Sequence, residues 1–311
     1  MTFDRTAMVR DVSDGLAASP RQLPSKYFYD ERGSQLFDEI TRLDEYYPTR
    51  AERALLQQCA ATIIDIARPK TVLELGAGSS DKTRVLLDAM ATHGPHDATY
   101  LPVDVSYDFL AASAVQLRRE YPELRVVPVA ADFSTAFPVP PHPSPTLHVF
   151  LGSTIGNFTP EHAVSLLTGA RARMCAGDFF LLGIDLRKDP DIIERAYNDA
   201  SGITAAFNKN ILQVINNTLG ADFDQSAFNH DAIYNRADHR VEMRLVSRRE
   251  QDVHIPDVGK LHLAVDESIL TEFSYKYDRE LASDILEQSG LTLREWLTDV
   301  ARSFALALAS C

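Results

Sequence analysis

The chain has 311 residues, enough to bury a substantial core as one large domain or two smaller ones. Its 44 acidic residues against 31 basic give a net charge of −13, which repels phosphate backbones and anionic lipid and argues against nucleic-acid and membrane-surface partners. Three cysteines, Cys59, Cys175 and Cys311, contain no CxxC pair and do not make a disulfide framework or a thiolate zinc site, and neither a signal-peptide pattern nor a bilayer-length apolar run is present, so a soluble cytoplasmic protein is expected.

The first fifty residues carry aromatics in KYFYD (26–30) and EYYP (45–48), in a segment too polar for a core strand. Such residues either line a pocket or cover the flank of the next domain. From Thr49, a plausible N-cap, apolar residues recur at spacings of three and four through ALLQQCAATIIDIA and predict a helix. TVLELGAG (71–78) reads as a buried strand entering a glycine turn, followed by the amphipathic DKTRVLLDAM. TYLPVDVS (99–106), a helix around FLAASAVQLRREY, LRVVPVAADF (124–133), LHVFLGST and FFLLGIDL (179–186) continue the alternation. This pattern signals an α/β fold, an open Rossmann-like parallel sheet with helices on both faces. After Asp191 a long helical stretch to Gly220 gives way to strand-like VEMRLVSRREQDVHIP and KLHLAVDESILTEFSYKY, which suggests a second, α+β lobe. The tail returns to helix in RELASDILEQSG and LREWLTDVARSFALALAS, the second half of the latter alternating like a closing strand.

In VLELGAGSSDKT, Glu74 lies near the strand end and Gly76 and Gly78 form the turn, where the backbone can approach a ligand and the next helix offers free N–H groups. A dinucleotide site wants a third small residue, and Asp81 stands there instead. An acidic residue before G-x-G without the third glycine is the pattern of S-adenosylmethionine (SAM) methyltransferases, which the segment resembles. In that reading Asp104 accepts from the ribose hydroxyls, Asp132 from the adenine amino group with Phe133 against the ring, and Lys82 pairs with the donor's carboxylate.

Ligands of such sheets bind beyond the carboxyl ends of the strands, so FLGSTIGNF (150–158) faces the transferred methyl group. It lacks the [ND]PP[YF]-like tetrapeptide of enzymes that methylate exocyclic base amines. Together with LPSKYFYDERGSQLFDEITRLDEYYPTRAE (23–52), AYNDASGITAAFNKNIL (196–212), VEMRL (241–245) and TEFSYKY (271–277), it closely resembles the histidine Nα-methyltransferases of ergothioneine biosynthesis over nearly the whole chain. That resemblance implies a SAM-dependent enzyme that trimethylates the α-amino group of L-histidine to hercynine. It also implies site roles. Asn157 and Tyr197 hold the substrate's amino and carboxylate ends beside the Gly152 backbone, and Glu272 and Ser274 clamp the imidazole. Met243, Tyr46 and Phe37 border the pocket, and Tyr29 lies near the methylated nitrogen.

The resemblance places the SAM-binding domain at 50–196 and 280–311 and a substrate-binding lobe at 1–49 and 197–279, with the substrate in the cleft. A monomer acting on a small molecule is expected. No metal is expected, because His230, His239, His254 and His262 lack HExxH or facial-triad spacing and read as surface histidines. Three alternatives remain open at this point: N-methylation of another amino acid such as a tryptophan derivative, a catalytically silent SAM-binding subunit, and a nucleic-acid methyltransferase.

Overall fold

A computed structural model describes residues 3–78, 80–95, 97–105, 107–133 and 137–311. In chain order the strands are β1 (Thr71–Leu75), β2 (Thr99–Asp104), β3 (Arg125–Val126), β4 (Val129–Ala130), β5 (Thr146–Phe150), β6 (Phe179–Asp185), β7 (Phe228–Asn235), β8 (Arg240–Ser247), β9 (Gln251–Ile255), β10 (Gly259–Leu263), β11 (Ser268–Tyr275), β12 (Thr292–Thr298) and β13 (Phe304–Ser310). The chain forms two compact units. One comprises the chain up to Tyr47 with Lys188–Ser274, the other Pro48–Arg187 with Tyr275–Cys311.

The second unit holds an α/β sheet in the order β12-β13-β6-β5-β1-β2-β3, with β4 also beside β2. β1 pairs parallel with both β2 and β5, and β5 with β6. β13 closes the sheet antiparallel to β6 and β12. Every residue of β1 and β5 is buried, as expected for strands covered on both faces. The chain runs outward from β1 to β2 and then returns to β5 on the other side. The ends of β1 and β5 therefore flank the switch point where ligands of such sheets bind.

Local chemistry explains several departures from the sequence-based expectations. The helix predicted from Thr49 begins at Tyr47 and runs to Ala67, so Thr49 lies inside its first turn. The strand expected over 124–133 is two short pieces either side of Val127 and Pro128, because proline has no N–H for the ladder. LREWLT is not helical. Gly290, at φ +75°, follows the helix Arg279–Gln288, and residues 292–298 become β12, the edge partner of β13.

In the first unit, two helices occupy the segment in which only aromatics were legible. Arg5–Ala17 is capped by Asp4 and buries Met8, Val12 and Leu16, and Glu31–Ile40 is capped by Asp30. The long helix expected after Asp191 is two, Pro190–Tyr197 and Ile203–Leu219. Asp199 makes the break, accepting from the N–H groups of Ile203 and Thr204 at 2.9 and 2.8 Å and from the Ser201 hydroxyl at 2.6 Å. Burial works against its charge, yet these donors hold its carboxyl down at about 2. The strands form a three-stranded sheet, β11-β8-β7, and the hairpin β9-β10, around a core that includes Phe28, Phe207, Ile211, Met243 and Leu245.

Candidate active site

The glycine turn after β1 is built as the motif requires. Gly76 and Gly78 have φ of +69° and +50°, the left-handed region in which side chains are disfavoured. The amides of Gly76 and Ala77 donate to the Val103 carbonyl at 2.8 and 3.1 Å, and Gly78 N–H donates to Asp104 Oδ2 at 3.0 Å. A Cβ on Gly76 would lie 3.3 Å from the Phe133 ring, which packs edge-on against Phe150 at 5.3 Å. The ends of β1, β2 and β4 thus bring the turn, Asp104 and Phe133 together, with Asp132 half-buried beside Phe133 in sequence.

Glu74 serves this turn from beneath. It is buried, its carboxyl oxygens are hydrogen-bonded with the hydroxyls of Thr83 and Tyr100, and the Tyr100 hydroxyl oxygen lies 2.9 Å from Ser80 Oγ. Burial drives its carboxyl up to about 7 despite those hydrogen bonds and the nearby Lys82 charge. One side chain therefore ties β1 to β2 and to the first turn of the helix Thr83–His93.

The FLGSTIGNF loop leaves β5 through two left-handed residues, Gly152 at φ +79° and Ser153 at φ +54°, and then makes a 3-10 turn over Thr154–Asn157. Ser153 is an uncommon non-glycine residue in this region. Its Oγ accepts from Asp185 N–H at 2.9 Å and its carbonyl from Gly156 N–H at 2.9 Å. Tyr277 donates to the Ile155 carbonyl at 3.3 Å, and buried Asp185 pairs with buried Lys276 at 2.8 Å. The turn is thereby fixed on several sides, with half-buried Asn157 at its end.

A residue that sequence reasoning missed, Glu52, meets this loop. Its oxygens accept Gly152 N–H at 2.8 and 3.0 Å, and Oε2 accepts from Lys82 Nζ at 2.5 Å. Its signal was an acidic residue in an apolar stripe, since Pro48, Glu52, Leu55 and Leu56 share the buried face of the helix Tyr47–Ala67.

In the other unit five of the residues assigned to the substrate form a connected chain, whereas Gly152 and Asn157 belong to the sheet unit. The Tyr29 ring lies edge-on to Phe37 at 5.7 Å and to Phe207 at 5.6 Å. Phe37 meets Tyr46 at 6.4 Å, and Tyr46 meets Tyr197 at 6.2 Å. Tyr197 donates to Ser274 Oγ at 2.8 Å. Glu272 and Ser274, two residues apart on β11, share a face of the sheet. Met243 is buried in β8, with its carbonyl 3.0 Å from Thr271 Oγ1.

Phe207, Asn208 and His230 were also missed as contributors. His230, expected at the surface, is a bridge. Its Nε2 lies 2.8 Å from the Tyr197 carbonyl and its Nδ1 2.8 Å from Asn208 Nδ2. The Arg244 carbonyl, 3.0 Å from the same Nδ2, fixes the amide orientation. Asn208 therefore donates to Nδ1, and His230 is the neutral Nε2–H tautomer donating to Tyr197. Burial, the largest influence, holds this imidazole below its ordinary value. His230 belongs to no motif, and Asn208, although it lies within the 196–212 stretch, meets Tyr197 through His230.

Among the described residues no cluster of His, Cys, Asp and Glu is placed to hold a metal ion, and no helix is long and apolar enough to cross a membrane.

Comparison with known proteins assigns the chain. A relative from Mycobacterium tuberculosis, a histidine N-alpha-methyltransferase, is 45% identical over 98% of this chain and 95% of its own length. Its counterpart from Mycolicibacterium smegmatis is 44% identical over 97% and 94%. An L-tryptophan methyltransferase from Psilocybe serbica is 30% identical over 96% and 91%. The family profile of histidine-specific, SAM-dependent methyltransferases matches residues 8–311, so with its glycine turn, its switch-point sheet and this match the chain belongs to that family.

Proposed function

We propose that the protein transfers three methyl groups from SAM to the α-amino nitrogen of L-histidine, giving hercynine for ergothioneine biosynthesis. The observation that supports this most is the connected run from Tyr29 through Phe37, Tyr46 and Tyr197 to Ser274, which joins five residues assigned to the substrate within one unit. We read it as a cytoplasmic monomer acting on the free amino acid.

The donor fits the residues at the ends of β1, β2 and β4. Gly76 keeps clear the space in front of Phe133 that a side chain would narrow, and Asp104 and Asp132 supply acceptors for hydroxyl and amino donors. When bound, the donor supplies a methyl carbon on a positively charged sulfur. Asn157 orients the substrate's amine without protonating it, and its place on a fixed turn limits misalignment. The substrate's ammonium releases one proton to solvent before each of the three transfers, which frees the lone pair, so no strong general base is required of the protein. As methyls replace N–H donors, the Tyr29 face attracts the growing cation by roughly 0.5–2 kcal/mol where a hydrogen-bond acceptor would lose its partner. Tyr197 holds the carboxylate end.

Glu272 and Ser274 discriminate the imidazole, because a buried acceptor left unpaired by another side chain costs roughly 1–3 kcal/mol. A second reading, an indole amino acid as acceptor, draws support from the relative that methylates tryptophan. Glu272→Ala separates the two. For a histidine enzyme it lowers kcat/KM for histidine by roughly 10- to 100-fold and narrows the preference over tryptophan. An unchanged histidine preference would remove the clamp from the account.

A further inference from the structure

Glu52 is a buried acid with no role in the family pattern read from the sequence. An apolar side chain in that stripe would avoid the desolvation penalty of a carboxylate. What a carboxylate adds is two charge-assisted contacts, one to the Gly152 amide and one to Lys82 Nζ. Two glycines make room for them. A Cβ on Gly183 would lie 2.0 Å from Glu52 Oε1, and a Cβ on Gly152 would lie 3.1 Å from Lys82 Nζ. The Lys82 ammonium is thus held above Gly152, on a side chain that remains partly exposed.

We propose that Glu52 is a positioning residue that fixes the Lys82 ammonium and the Gly152 amide in one arrangement and so presents Lys82 to the carboxylate of the methyl donor. The inference rests on the assignment of Lys82 to that carboxylate. A lysine stem is flexible, with several rotatable bonds. A partner that holds it in the binding geometry before the ligand arrives removes an ordering cost from binding. Because the second contact is to the first residue of the Gly152–Asn157 turn, the same carboxylate registers the donor's amino-acid end against the loop that carries Asn157.

The test is calorimetric titration with two ligands. S-adenosylhomocysteine carries the amino-acid end, and 5′-methylthioadenosine lacks it. Glu52→Gln, which keeps the shape and removes the charge, weakens S-adenosylhomocysteine by about tenfold and leaves methylthioadenosine within about twofold. Glu52→Asp, which keeps the charge but withdraws it by one methylene, gives the same selective loss. It also serves if the glutamine variant folds poorly. Lys82→Met weakens S-adenosylhomocysteine at least as much, and adding Glu52→Gln to it costs nothing more. Equal loss for both ligands, or no loss, in the Glu52 variants would overturn the inference. An unaffected Lys82→Met would strike the lysine assignment instead.

Discussion

Replacing Glu74 with glutamine tests the electrostatics beneath the glycine turn. The folded-state carboxyl is raised from 4.5 to about 7 by burial. A group raised in this way is protonated in the folded chain while the unfolded chain has already released its proton. Its contribution is complete below pH 4.5 and is lost as pH rises toward 7, after which the loss is constant. At 1.36 kcal/mol per pH unit, that gap is worth about 3 kcal/mol in full. For a unit of this size this is roughly 6–12 °C in thermal midpoint. Glutamine matches the neutral acid, accepting through one atom and donating through the other to the hydroxyls of Thr83 and Tyr100. The assay is the thermal midpoint of wild type and Glu74→Gln at half-unit intervals from pH 4.5 to 8.5, the difference between them isolating this one group. The variant gains on the wild type as pH rises and holds a constant advantage above about pH 7. A difference that stays flat, or one that grows toward acid, would mean that Glu74 is ionised in the fold and that the turn is held by a charge.

Tyr197→Phe removes the hydrogen bond to Ser274 and leaves the ring against Tyr46, so KM for histidine rises by about five- to tenfold, worth about 1 kcal/mol, while kcat changes little. Steady-state kinetics checks this, and an unchanged KM would remove the hydroxyl from substrate binding. His230 gives a pH signature of opposite sign to that of Glu74. Because its folded value is lowered from 6.5, its contribution is complete above that pH and is lost as pH falls below it, when a proton on Nδ1 would oppose the Asn208 amide. His230→Gln keeps a donor for the Tyr197 carbonyl and abolishes the titration, so the acid-side fall in thermal midpoint is shallower in the variant. Identical acid limbs would refute the bridge.

Much of the sheet was legible because buried parallel strands read as apolar runs bounded by glycine turns, as in VLELGAG and LHVFLGST. The candidate site was legible where function sits in contiguous motifs, such as the glycine turn and the loop ending in Asn157. Three kinds of feature escaped. Helices at 5–17 and 31–40 depend on caps, Asp4 and Asp30, that look like ordinary polar residues in a line of sequence. LREWLT has mixed local preference and is made a strand by the unpaired edge of β13. Glu52 and His230 act on Gly152 and Tyr197, partners 100 and 33 residues away, and no local spacing encodes such a contact.

The most direct test of the central claim is mass spectrometry of the purified protein incubated with SAM and an equimolar mixture of the twenty amino acids. A gain of three methyl groups on histidine alone is the expected result. Gain on tryptophan or any other amino acid in preference to histidine would contradict the specificity assigned to Glu272 and Ser274, and no gain on any of them would contradict the enzymatic reading itself.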